Sequence, residues 1–306
     1  MTTDAPPWQR PQQKKFPGIP AWGMPTSSTP LEDFDISLMQ DVTPEWAWGG
    51  SDGSGVRVCV VDTGVDADHP RVGGLERSAS VVADENDEVH VEEGDFGDLA
   101  GHGTACAGVI RSIAPGASLS SVRVLTRGKY GSGKALMAGL EWAIDQGFEV
   151  INLSLATTSP ALEPQLRELA DRAYFKRSAL VVSAHNMPVH SFPWTFSSVI
   201  SVASHNEPDS SLYYYNAAPP VDFYARGVKV SVPWVGGTEK ISTGNSFAAP
   251  HLAGVCARVL GKHPWLTPFQ LKTVLYLAAK NVAGMSESKR ADQERREEPH
   301  VVHVGQ

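Results

Sequence analysis

The feature that most constrains this chain is a set of strand-length runs, most of them apolar, that stop abruptly on small or polar residues. In the clearest, Val56 to Val61, the apolar Val58-Cys59-Val60-Val61 gives way to Asp62-Thr63-Gly64. An apolar run without alternation fits a strand buried on both faces. Leu119–Leu125, Val150–Leu155, Ala179–Ser183, Val199–Ala203 and Val228–Val232 read as further strands. Helical patterns lie between them: His102–Ile113, ended by Pro115-Gly116; Ala135–Gln146, with Ser132 as its cap and Gly147 closing it; and Pro164–Lys176. Thr43-Pro44 opens an early helix, and Thr267-Pro268 opens an amphipathic one that runs to Ala279. Strands alternating with helices at short spacing predict an α/β fold, a mostly parallel central sheet with helices on both faces.

The ends have a different texture. Residues 1–42 form an arm rich in Pro, Gly, Ser and Gln, including Phe16-Pro17-Gly18-Ile19-Pro20, with no sustained period. It reads either as a disordered tail or as an extended strand laid across a cleft. Residues 43–280 form the folded domain, and 281–306 a charged, solvated tail. Within the domain, residues 76–100 are acidic and read as loop. The net charge of −8, without a Lys/Arg stripe, argues against nucleic acid as the main partner. No apolar stretch reaches membrane-span length, and no apolar leader follows Met1. Three cysteines, Cys59, Cys106 and Cys256, cannot complete a disulfide framework and suit buried, reduced thiols. The expectation is a cytoplasmic protein without membrane contact.

Three stretches carry chemistry. Thr243-Gly244-Asn245 delivers Ser246 onto an Ala-rich apolar segment, a loop-to-helix junction near the positive end of a helix. Gly101-His102-Gly103-Thr104 puts a histidine at a similar junction, and Asp62 ends an apolar strand. Each has a plain reading: Ser246 as a helix cap, Asp62 in a turn, His102 as a helix-terminal histidine. Together they supply a nucleophile, a base to take its proton and a carboxylate to orient that base.

These motifs resemble the subtilisin-like serine peptidases, which carry Asp, His and Ser in this order along the chain. The resemblance runs from about Trp46 to about Lys280 and makes the expected fold subtilisin-like. It implies peptide-bond hydrolysis through an acyl-enzyme, with Asp62, His102 and Ser246 as the catalytic triad. It assigns the oxyanion hole to the Ser246 N–H and the Asn186 side chain, which follows Leu180-Val181-Val182-Ser183. It makes Gly131, Ser132, Gly133, Ser154, Leu155 and Ala156 the edges that bind an extended peptide or protein substrate. Ala156 and the segment after Asn186 would line the primary specificity pocket, with a moderately apolar preference. Two positions depart from the family pattern: His185 stands where Gly is usual before the asparagine, and Asn245 where Thr is usual before the serine. Asn245 then either adds an oxyanion donor or continues the turn. Some relatives have a cysteine one turn after the histidine, as Cys106 is here, which implies inhibition by mercurials.

The chemistry needs no cofactor and no catalytic metal. The calcium loop that many secreted relatives insert after the catalytic histidine is absent from Ile110–Pro115. The acidic run Asp84–Glu88, with Glu92, Glu93, Asp95 and Asp98, reads either as a solvated loop or as oxygen ligands for a structural calcium. Secreted relatives normally carry a folded pro-domain, so either this core folds unaided or an activating partner protein helps. A transpeptidase or macrocyclase on the same fold, and a non-catalytic peptide-binding pseudo-protease, are the competing functions.

Overall fold

The computed structural model describes residues 42–125 and 132–283. The readings of the 1–41 arm, Gly131 and the charged tail lie outside the described residues. Nine strands make one sheet: β1 (Arg57–Asp62), β2 (Arg77–Ala83), β3 (Val89–Glu93), β4 (Ser118–Arg123), β5 (Val150–Leu153), β6 (Ala179–Ser183), β7 (Ile200–His205), β8 (Tyr213–Tyr215) and β9 (Phe223–Arg226). Their order is β3-β2-β4-β1-β5-β6-β7-β9-β8, parallel throughout except at the two edges, β3 and β8. The helices are α1 (Pro44–Trp48), α2 (His102–Ile113), α3 (Gly133–Asp145), α4 (Glu163–Phe175), α5 (Asn245–Lys262) and α6 (Pro268–Ala278).

The apolar run of β1 is explained by what covers it. Val58 and Val60 pack with Ile110 of α2 and Leu252 of α5 on one face. Cys59 and Val61 pack with Leu140 of α3 and Leu166 of α4 on the other. Successive side chains of a strand point to opposite faces, so only a run without polar positions suits two cores. β1 pairs with β4 on one side and β5 on the other, so the chain leaves it in both directions. In such sheets the crevice outside the carboxyl ends of the strands, where the order switches, is where ligands bind. Asp62 is the last residue of β1.

Helix boundaries follow their punctuation. Thr43 caps α1, Ser132 caps α3, and Thr267 with Gln270 forms a capping box on α6. Two expectations need correction. Residues 76–100 are not simply loop, because β2 and β3 form there. β2 pairs in parallel with β4 about forty residues on, a long-range contact that can hold a strand despite nearby acidic residues. The strand expected at Val228–Val232 is β10 (Val230–Trp234), which pairs only with β11 (Thr238–Ser242) in a separate two-stranded ribbon.

α5 crosses the core with a histidine inside it. His251 is 3% exposed, and its Nδ1–H donates to Phe247 O at 2.7 Å. Burial, the leading cause, lowers its pKa from 6.5 to about 4. The folded value lies below the unfolded one, so the stability it governs is whole above the unfolded pKa. It is lost as pH falls toward the folded value, by about 1.4 kcal/mol per pH unit. Urea unfolding between pH 6.5 and 4 should therefore show a steeper loss in the wild type than in His251→Gln, by about 3 kcal/mol over the interval. Equal slopes would refute this account of His251.

Candidate active site

Asp62 has no exposed surface, and the His102 side chain is 5% exposed. His102 opens α2, and its Nδ1 lies 2.9 Å from each Asp62 carboxylate oxygen. A carboxylate can only accept, so Nδ1 carries the proton and Nε2 is left free as a base. Burial works to lower the His102 pKa, but the adjoining Asp62 carboxylate outweighs it, and the net value stands well above 6.5. Behind the ring lies Cys106, its Sγ 3.9 Å from His102 Nδ1 and 4.0 Å from Asp62 Oδ2. The thiol is fully buried, and burial raises its pKa, keeping it protonated. It sits on the Asp62 side of the imidazole, beside Nδ1.

Ser246 is the second residue of α5. The helix N-cap is Gly244, with no capping side chain, so the plain reading of Ser246 as a cap does not apply. Its N–H is among the first of the helix, which have no partner along the chain. Its carbonyl accepts from Ser154 Oγ at 2.9 Å and lies 3.6 Å from Cys106 Sγ. Cys106 thus touches both the His102 ring and the Ser246 backbone, and the Phe247 ring packs 5.4 Å from the imidazole. Among the described residues no hydrogen bond joins Ser246 Oγ to His102. Such bonds are often long before substrate binds.

Asn186 follows β6 and is exposed. Its Oδ1 accepts from Asn245 N at 2.8 Å, which orients the amide and leaves its NH2 free to donate. Ser246 Oγ and the Asn186 amide both come within 3.5 Å of the point where a side chain at Gly244 would begin. They border the same small space.

The two departures now have physical accounts. Asn245 Oδ1 accepts from Ser204 N (2.9 Å) and Ser204 Oγ (2.7 Å), and its Nδ2 donates to His185 O (3.1 Å). Its amide ties the serine's turn to β7 and to the loop after β6. His185 is not among the positive-φ residues, so the backbone there makes no demand for glycine.

The substrate edges are met only in part. Ser132 and Gly133 do not form a strand: Ser132 Oγ accepts from Ala135 N at 3.0 Å as the cap of α3, and Gly133 begins that helix. The Ser154 hydroxyl turns inward, accepting from Asn152 Nδ2 and donating to Ser246 O. Leu155 and Ala156 continue past β5 half-buried, and the next residue, Thr157, exchanges two 2.9 Å backbone bonds with Phe192. A cavity of about 430 Å³ opens beside β2 and β4, lined by Val81, Val89, Leu99, Val124, Leu125 and Ala135 among others. The acidic run is mostly hairpin: Asp84 Oδ1 accepts from Asn86 N and Glu88 N across the β2–β3 turn.

Comparison with known proteins agrees with this architecture. Subtilisin E of Bacillus subtilis (strain 168) is 31% identical over 238 residues, 73% of this chain and 60% of that protein. Subtilisin DY of Bacillus licheniformis is 30% identical over 251 residues, 76% of this chain and 86% of the relative. A solved cold adapted subtilisin-like serine proteinase superposes with a TM-score of 0.59 at 29% identity, covering 73% of this chain and 81% of its own. The chain therefore spans about 60% of the length of subtilisin E. The model of the subtilase family matches residues 53–296, from just before β1 to beyond α6, and the chain belongs to that family.

Proposed function

We propose that this protein is a serine endopeptidase that hydrolyses peptide bonds through an acyl-enzyme. The observation that carries the reading is the buried Asp62–His102 pair, 2.9 Å apart at the carboxyl end of the central strand. In this reading Ser246 Oγ attacks the scissile carbonyl while His102 Nε2 takes its proton. The Ser246 N–H and the Asn186 NH2 receive the developing oxyanion. His102 then passes the proton to the leaving amine, and water repeats the sequence on the acyl-enzyme. Asp62 holds the tautomer and stabilises the imidazolium. No step calls on a cofactor. The substrate is an extended peptide, with Ala156 and the segment after Asn186 lining a moderately apolar primary pocket. The hydrogen bonds of Asn245 and the ordinary backbone of His185 support the catalytic reading over a non-catalytic one.

The test is labelling by a fluorophosphonate probe. Wild type is expected to label, and Ser246→Ala and His102→Ala are not. A neutral His102 is the active base, so the labelling rate should rise with pH, with a midpoint above 6.5. A folded wild type that does not label would refute the proposal.

Cys106 gives a second readout. A mercurial is expected to inhibit slowly, because the thiol is buried and protonated. Cys106→Ala should resist, while Cys59→Ala and Cys256→Ala stay sensitive. Sensitivity that survives Cys106→Ala would place the reactive thiol elsewhere.

A further inference from the structure

Asp98 stands four residues before His102, at the end of an acidic stretch whose sequence assigns it no part in the triad. The structure surrounds it with donors. Its Oδ1 accepts from Thr63 Oγ1 (2.8 Å), Ala100 N (2.9 Å) and Gly101 N (2.8 Å). Its Oδ2 accepts from Thr104 N (2.9 Å) and Thr104 Oγ1 (2.6 Å). Two of these partners pass the connection on. Thr63 Oγ1 accepts from Gly103 N at 3.0 Å, and Thr104 Oγ1 accepts from Asp66 N at 2.9 Å. Leu99 N donates to Thr63 O at 3.2 Å.

The residues joined in this way flank the acid–base pair. Thr63 follows Asp62, and Gly101 and Gly103 stand on either side of His102. Their backbones are also in direct contact. A Cβ on Gly64 would collide with Gly97 O, and one on Gly103 would collide with Gly64 O. The strand end, the loop before the helix and the first turn of α2 are therefore stacked without intervening side chains. α2 has no capping side chain at its N-cap, Gly101. The Asp98 carboxylate takes over that task from three residues upstream, at the end of the helix where a negative charge is favoured.

We infer that Asp98 is a positioning residue, which fixes the distance and angle between Asp62 and His102 by tying the residue after the first to the residues around the second. The inference rests on reading Asp62 and His102 as part of the catalytic machinery. It acts through that pair and not through substrate, so it governs turnover and leaves binding alone.

The test compares Asp98→Ala and Asp98→Asn with wild type. The readouts are kcat and KM on a peptide substrate and the proton NMR signal of His102 Nδ1–H. Asparagine keeps one acceptor oxygen but presents an amide to Thr104 N. Since a small misplacement of reacting groups is costly, kcat should fall about 100-fold in Asp98→Ala and about 10-fold in Asp98→Asn, with KM within about twofold of wild type. The Nδ1–H signal should shift and broaden in the same order. Leu140→Ala, which weakens the opposite half of the core, should leave kcat and the signal unchanged. A folded Asp98→Asn with wild-type kcat and signal would overturn the inference, and so would a change in KM alone or a Leu140→Ala that reproduces the loss. Should Asp98→Ala fail to fold, Asp98→Asn carries the comparison. Turnover that depends on Ser246 but ignores Asp98 overturns this inference alone. A wild type whose turnover survives Ser246→Ala overturns the triad reading with it.

Discussion

Alanine at Ser246 or at His102 is expected to lower kcat by about a million-fold, and alanine at both to lower it no further; this is the magnitude known for subtilisin. In the proposed mechanism one proton passes between the two residues. Without the base, Ser246 keeps its proton at neutral pH and is a weak nucleophile. Without the hydroxyl, His102 has nothing to deprotonate. Asp62→Ala is expected to cost less, about ten-thousand-fold, because the imidazole survives in a less favourable tautomer and orientation. KM should move little in each case, since these side chains act on the reacting bond. Steady-state kinetics on a chromogenic peptide checks this. Losses that add between Ser246→Ala and His102→Ala would mean that the two do not serve one step.

Asn186→Ala is expected to lower kcat about 100- to 1,000-fold with KM nearly unchanged, a barrier increase of about 3 to 4 kcal/mol, again the size measured in subtilisin. The argument here is orientational. Asn186 is exposed, and an exposed amide left to itself would tumble. The Asn245 N–H at 2.8 Å fixes its oxygen, so its NH2 is held in place beside the space that Ser246 Oγ also borders. A donor fixed before charge develops is worth more than one that must reorganise. Asn186→Asp should be at least as damaging, because it replaces the donor by a negative charge. If KM rose while kcat held, Asn186 would be a ground-state binding residue and the oxyanion assignment would fall.

What was legible beforehand was what local chemistry announces. Asp62, His102 and Ser246 each stand where a regular element meets a glycine-marked turn. The unbroken apolar run of β1 could only be a strand with a core on each side. Ser132 advertised a cap, and it caps α3. Other roles depended on partners remote in sequence. Asp98 meets Thr63 across 35 positions, Ser154 meets Ser246 across 92, and Asn245 meets His185 across 60. Nothing near any of these residues marks it. β2 was hidden for the same reason, because the chain that makes it a strand is β4.

The antiparallel strands stand only at the two margins of the sheet, while Asp62 hangs from its middle. The Asp62–His102 pair is therefore anchored to an interior strand that is paired on both sides. The turn at Asp84–Glu88, between the edge strand β3 and its neighbour β2, can be rewritten without touching that anchor. On the proposed function, edits at that margin leave the acid–base pair in place.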